Sequence, residues 1–426
     1  MDHTMNFSYS ETNKLSPESF TEHTESLRQY QAYLTSLTEI LDTQAPETSI
    51  TLPLNRNYVS TIKDFAKKHN SPRLGAIVVV GIGGSNLGTW ALYNSLAQIK
   101  RPIIFAETTD PSSIIDIVSE LEHIYAHNQH VTLIVVSKSG QTTETIANYG
   151  VLIQALKDYD KDWQNHIIAI TDEYSKLFDY ANKYSFDVLT IPQHVGGRYS
   201  VFSAVGLFPL LLAGASIDDL LDGAEEAVMD NVSSDLKKNT SLASAASIYG
   251  NYLNGKTIHN TFIFDSSLYV FGKWYRQLVA ESLGKDGKGI TPITSVGSTD
   301  LHSVAQLYFA GPHDKFTTFI TVKNTLYDAQ VSNNVNLDDL VPHIAGKRLS
   351  EIMNAIYKGV TVSYKKNDLP FVEIQLESLN EYACGYLLQT KMIETMYLAK
   401  LMNVNAFNQP NVEEYKIETN AILKGS

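Results

Sequence analysis

The sequence predicts an α/β protein with two parallel-sheet domains, helices lying on both faces of each sheet. Three observations carry this. Short continuous apolar runs recur along the chain, each closed by a loop and followed by a helical pattern, as strands buried on both faces require. The runs fall into two blocks divided by a polar stretch at residues 230–240. The chain's 426 residues, 43% hydrophobic and 19% charged, exceed what one core holds and suit two or three domains.

In chain order, residues 1–50 mix polar and weakly helical segments and are expected to wrap a larger body. The first domain is expected over 51–230. Residues 76–80 (A-I-V-V-V) read as its first buried strand, followed by a glycine-rich turn and a helix from Ser85. Residues 103–106 and 131–136 (V-T-L-I-V-V) read as the next two, and 167–170 and 188–191 continue the series. The second domain is expected over 231–426. There, residues 261–264 lead into a helix through Glu281, 316–322 and 371–376 are strand-like, and a long helix runs to about Leu401 before a C-terminal helical segment. No residue-level repeat links the blocks.

Composition narrows the function. Lys plus Arg is 33 against 46 Asp plus Glu, a net charge of −13, which opposes nucleic acid or an anionic membrane as the main partner. An acidic small molecule needs only a few local donors and stays open. The single cysteine, Cys384, excludes an intrachain disulfide and a multi-Cys zinc site, and its apolar setting reads as a buried thiol. The longest apolar run, 201–215, contains Pro209 and falls short of the ~20 residues of a spanning helix. The N-terminus shows no secretory pattern, so a cytoplasmic protein is expected.

Two loops suit an anion. Residues 81–88 (G-I-G-G-S-N-L-G) end the first strand; glycines let backbone N–H groups approach a ligand, and a helix N-terminus favours negative charge. The segment also approximates a dinucleotide fingerprint, with Glu107 as the ribose acid, but Asn86 stands at the sixth position and no Lys follows Gly88. A plain tight turn is the third reading. Residues 137–145 (S-K-S-G-Q-T-T-E-T) follow the third strand with five hydroxyls and Lys138. One hydroxyl would serve as an N-cap; five suit a phosphomonoester, with its three oxygens and about −1.5 to −2 charge. Two such loops at the carboxyl ends of parallel strands mark a crevice. His123, His127 and His130 share helical spacing as metal ligands do, but without an H-E-x-x-H pattern a solvated helix end is the better reading.

Four further segments carry a resemblance. Residues 195–206 (V-G-G-R-Y-S-V-F-S-A-V-G), 274–289 (W-Y-R-Q-L-V-A-E-S-L-G-K-D-G-K-G), 298–306 (S-T-D-L-H-S-V-A-Q) and 407–416 (F-N-Q-P-N-V-E-E-Y-K) occur in order with the two loops. Together the six resemble the signatures of the glucose-6-phosphate isomerase (phosphoglucose isomerase) family in its shorter bacterial form. The resemblance implies two sugar-isomerase (SIS) type α/β/α sandwich domains, a homodimer, a hexose 6-phosphate substrate, and no cofactor and no metal. It implies Glu281 as the base between C2 and C1, Arg198 as the cation beside a cis-enediolate, and Lys416 at the ring oxygen or phosphate end. It implies His302 as the acid–base group of ring opening, donated across the dimer interface. Phosphate falls to Ser137, Lys138, Ser139 and Thr142, sugar contacts to Gly84 and Ser85, and the phosphate end to Gln409. Gln277, four residues before Glu281, shares its helix face and could hold a sugar hydroxyl. Asn408 and Asn411 stand where the signature usually has Asp and Gly; Asn tolerates left-handed backbone, so a turn at 411 is expected to persist.

Each role has a plainer counterpart in the residues alone: a solvated helix-end Glu281, a structural ion pair at Arg198, a satisfied His302, an exposed Lys416. Two other functions compete. A non-catalytic phosphosugar sensor would need the phosphate loop but not these four residues, and no basic recognition helix is present. An NAD-dependent dehydrogenase is disfavoured by Asn86.

Overall fold

A computed structural model describes residues 4–425. Among these residues ten strands build two five-stranded sheets. The first contains β2 (Leu74–Val80), β3 (Ile103–Ala106), β4 (His130–Val136), β5 (Ile167–Thr171) and β6 (Asp187–Thr190), all parallel, in the order β3-β2-β4-β5-β6. The second contains β1 (Met5–Ser8), β7 (Ile258–Ile263), β8 (Thr291–Val296), β9 (Lys315–Asn324) and β10 (Phe371–Ser378), in the order β1-β10-β9-β7-β8. Four of these are parallel, and β1 joins β10 antiparallel at the edge. Each sheet lays its second parallel strand on one side of the first and its third on the other. The crevice such an order opens lies at the carboxyl ends of β2 and β4, and of β7 and β9.

The expected α/β class and parallel sheets are present, and alternation explains them. Ile77, Val79, Ile134 and Val136 face a core that runs between the two sheets, while Ala76, Val78, Val80, Leu133 and Val135 face a second core on the outer side. A strand buried on both faces has no polar position to spare, so it reads as an unbroken apolar run. Phe262, Phe319, Phe371 and Tyr364 make the corresponding outer core of the second sheet.

Two strands escape the sequence reading. The β8 segment (T-P-I-T-S-V) sits at an edge, partly exposed, where Pro292 and polar residues are tolerated and no apolar run forms. The β1 segment lies within the stretch expected to wrap the body; it registers Met5 against Leu376 and Phe7 against Ile374. The polar stretch at 230–240 is exposed in its middle and anchored at its two ends. Asn231, Asn239 and Ser241 are buried, and they meet the helix Glu381–Met402 through Asn231 Nδ2 to Thr390 Oγ1 (3.1 Å) and Ser241 Oγ to the Thr390 carbonyl (2.6 Å). That helix is buried on nearly every side; on it Lys391 Nζ lies 2.6 Å from Glu394, whose other carboxylate oxygen accepts from Tyr275 Oη at 2.5 Å. Cys384 on it is a buried thiol, as expected. No described helix is long and apolar enough to cross a membrane.

Candidate active site

The site is assembled from both sheets. After β2 the chain turns through Gly83–Ser85 before the helix Leu87–Ser95. Gly84 has to be glycine: a Cβ there would lie 2.3 Å from the Gly197 carbonyl carbon and 2.5 Å from the Arg198 nitrogen. The two glycine loops therefore touch backbone to backbone, and Ser200 Oγ donates to the Gly84 carbonyl (3.2 Å). A Cβ at Gly83 would come within 2.9 Å of Gln277 Nε2, which brings the third segment to the same point. Ser85 closes this turn, half-buried.

Gln277 and Glu281 lie on the helix Tyr269–Leu283, whose buried stripe includes Phe271, Trp274, Tyr275 and Leu278. The i, i+4 spacing sets both on one flank of that stripe, half-buried, and Gln277 Nε2 donates to Glu281 Oε1 at 2.8 Å. The other carboxylate oxygen accepts from Arg198 Nη1 at 3.2 Å. Glu281 keeps 31% of its side chain exposed, whereas Arg198 keeps 3%.

All five guanidinium N–H groups of Arg198 are committed. Nε reaches Ser282 Oγ (2.9 Å), and Nη1 serves Glu281 and Gln409 Oε1 (2.9 Å). Nη2 donates to the carbonyls of Ala406 and Asn408 (3.1 Å for the latter). One planar fork thus ties the loop after β6, the helix of Glu281 and the segment 406–409. Asn408 takes part through its backbone. Asn411 lies in a 3-10 turn, Pro410–Val412, outside the residues with positive φ, so the expected turn exists without left-handed backbone there.

The second loop follows β4. Ser137 is buried, with its hydroxyl 3.0 Å from Thr142 Oγ1 and accepting from the Gly140 N–H (3.1 Å). Ser139 is exposed and accepts from the Gln141 N–H (3.3 Å), and Thr142 N-caps the helix Thr143–Tyr159. Lys138 turns away from these hydroxyls. Its Nζ donates to the carbonyls of Gln193 (2.6 Å) and Val195 (2.9 Å), bracing the segment that leads to Arg198. Burial lowers its pKa from the usual lysine value.

Two expected residues stay outside this cluster within one chain. His302 is exposed on the helix Thr299–Ser303 just after β8. Lys416 pairs with Glu413 at 2.7 Å on the helix Glu413–Leu423, which has no buried residue. The sequence reading passes over Ser282, which meets both Arg198 and Tyr199 Oη (3.0 Å), and Lys285. Both sit inside the motif that supplies Glu281, but nothing in their spacing announces a partner on another segment. The three histidines do not converge: His130 begins β4 and stacks on His166, centroids 4.0 Å apart, while His127 Nδ1 lies 2.8 Å from the His123 carbonyl oxygen. Among the described residues no cluster of His, Cys, Asp or Glu could hold a metal ion.

Two parallel-sheet units joined at a carboxylate–guanidinium pair beside a hydroxyl-rich loop define a protein of the sugar-phosphate isomerase class. Comparison with known proteins narrows the class. The family model described as phosphoglucose isomerase matches residues 53–425, and the chain belongs to that family. A glucose-6-phosphate isomerase of Methanocaldococcus jannaschii is 35% identical over 342 residues, covering 80% of this chain and 82% of the relative. One from Clostridium novyi is 34% identical over 394 residues, covering 88% and 86%. Among solved structures, a hypothetical protein from Thermus thermophilus superposes with a TM-score of 0.89 at 27% identity, covering 98% of this chain and 99% of the other. A glucose-6-phosphate isomerase from Chlamydia trachomatis shares the fold, with a TM-score of 0.84 at 19% identity over 99% and 88% of the two chains.

Proposed function

We propose that this phosphoglucose isomerase family member interconverts glucose 6-phosphate and fructose 6-phosphate, with Glu281 as the base. The observation that carries the reading is the Glu281 carboxylate held between Gln277 and a buried Arg198 against the Gly83–Gly84 turn. The substrate phosphate binds the loop 137–145 through Ser137, Ser139, Thr142 and helix N–H groups, with Lys138 supplying charge while it braces the neighbouring backbone. Gly84 and Ser85 approach the sugar, Gln277 holds a hydroxyl, and Gln409 sits toward the phosphate end. After ring opening, Glu281 removes the C2 proton and returns it to C1, and the cis-enediolate between carries negative charge. Because every Arg198 donor is engaged, the guanidinium stabilises that charge through its buried field, or by releasing Gln409 to bond an oxygen directly.

Ring opening falls to His302 as its acid–base group, and Lys416 serves the ring oxygen or phosphate end. His302 stands outside the Arg198–Glu281 cluster of its own chain, which supports a homodimer in which the partner subunit's His302 completes each site. The same reading makes the enzyme cytoplasmic.

The test is turnover by the purified chain, fructose 6-phosphate in and glucose 6-phosphate out, without added metal or nucleotide. Robust turnover is expected. A folded chain that binds phosphosugar but turns nothing over would favour the sensor, and reduction of a nicotinamide cofactor would favour a dehydrogenase. The shared site has its own consequence. Mixed and exchanged Glu281→Gln and His302→Ala chains should regain activity, because each hybrid dimer contains one site with neither defect. Exchange without recovery would reject the donated histidine.

A further inference from the structure

The turn that follows the Glu281 helix braces the site through two lysines. Residues 285–288 (K-D-G-K) form a tight hairpin: the Lys285 and Lys288 backbones bond each other (3.2 and 2.8 Å), and Asp286 and Gly287 both take positive φ, as a type I′ turn requires. Lys285 Nζ donates to the carbonyls of Glu281 and Ser282, each at 2.7 Å. Lys288 Nζ donates to the Met402 carbonyl at 3.0 Å, at the end of the buried helix Glu381–Met402. The hairpin thereby joins the last turn of the helix bearing Glu281 to the end of the buried helix, four residues before the first carbonyl that holds Arg198.

Lys285 is only 8% exposed. An ammonium at a helix C-terminus satisfies carbonyls that have no partner within the helix, and it favours the negative end of the helix dipole. The charged groups facing it are Arg198 from the loop after β6, Glu281 from the helix and Asp286 from the turn.

We infer that Lys285 is a positioning residue for the base: its ammonium, bonded to the carbonyls of Glu281 and Ser282, sets where the Glu281 carboxylate stands, and does so only while charged. This rests on the isomerase reading above. Burial first, and the Arg198 charge second, pull the Lys285 pKa down to about 8, against the raising influence of Glu281 and Asp286. The ammonium is therefore held below about pH 8 and lost above it. A neutral amine keeps hydrogen atoms to donate but gives up the charge that binds the carbonyl pair.

The experiment compares wild type, Lys285→Met and Lys285→Arg in kcat and KM across pH 6–10, alongside thermal melting. Lys285→Met should lose about 10- to 100-fold in kcat, the scale of a base displaced by a fraction of an ångström to an ångström, with KM little changed. Lys285→Arg keeps a charge that does not titrate below about pH 12. It should retain most of the activity and lose the alkaline fall in kcat that wild type shows near pH 8. A wild-type profile flat through pH 8, or an Arg variant that keeps the fall, would overturn the inference, since a merely structural lysine would change melting and leave the profile alone. Absence of isomerisation by wild type would instead overturn the reading on which it rests.

Discussion

Glu281→Gln is expected to lower kcat by about 100- to 10,000-fold while hexose phosphate still binds, the range that general-base catalysis contributes. The substitution preserves shape and leaves an amide oxygen to receive either Gln277 Nε2 or Arg198 Nη1, so the site should hold its form. What disappears is the only group on that helix face able to take a proton from carbon. The phosphate loop draws on Ser137, Ser139 and Thr142, none of which touches Glu281, so binding should survive. Steady-state kinetics beside calorimetric titration with fructose 6-phosphate checks this. Binding lost together with turnover would mean that Glu281 holds the site's structure rather than doing its chemistry.

Substitution of Arg198 should damage both catalysis and folding, in proportions that depend on what replaces it. Arg198→Met strands Ser282, Gln409 and the Ala406 and Asn408 carbonyls, and leaves Glu281 without its cation. Loss of these bonds should destabilise the protein by about 2–4 kcal/mol, discounted for Glu281, which is partly hydrated. Arg198→Lys restores the charge, but a single ammonium cannot meet five acceptors spread over two segments at once. The lysine variant should therefore melt closer to wild type than the methionine variant, yet lose about 100- to 1,000-fold in kcat, the scale of removing a preorganised donor from developing oxyanion charge. Melting curves and kinetics of the two variants separate these effects. Near-normal kcat in Arg198→Lys would assign the arginine a structural tie and no part in stabilising the intermediate.

The parts of the fold legible in the sequence are those that buried strands write as apolar runs. Residues 103–106 read as a strand and are β3, while 76–80, 131–136 and 167–170 fall short of β2, β4 and β5 by one or two residues. The helix expected through Glu281 spans Tyr269–Leu283. Strand ends blur because turn residues and strand residues share side-chain types at the boundary. The two missed strands, β8 and β1, are edge strands with polar residues among the apolar ones (T-P-I-T-S-V and M-N-F-S), so no apolar run results, whereas β3, also at an edge, is I-I-F-A and reads as one.

Candidate site residues are legible where a motif concentrates chemistry in consecutive positions, as in S-K-S-G-Q-T-T-E-T, or where i, i+4 spacing sets two groups on one face. Gln277 and Glu281 meet as that spacing predicts. Lys138 shows what spacing does not carry: within this structure its ammonium also braces the carbonyls of Gln193 and Val195, 55 and 57 residues away in sequence.

By itself, then, the sequence determined the α/β alternation, the two anion-suited loops and the membership of a few residues in one chemical set, because each is encoded between neighbours two to four positions apart. Tertiary structure alone decided that Arg198 commits all five donors to partners 83 to 211 residues away, and that Lys285 grips the carbonyl of Glu281. It also decided that Met5–Ser8 completes a sheet whose next strand in the chain starts at Ile258. Those outcomes depend on which loops and edges meet when two apolar cores close, and close packing of distant segments leaves no periodic trace in the chain.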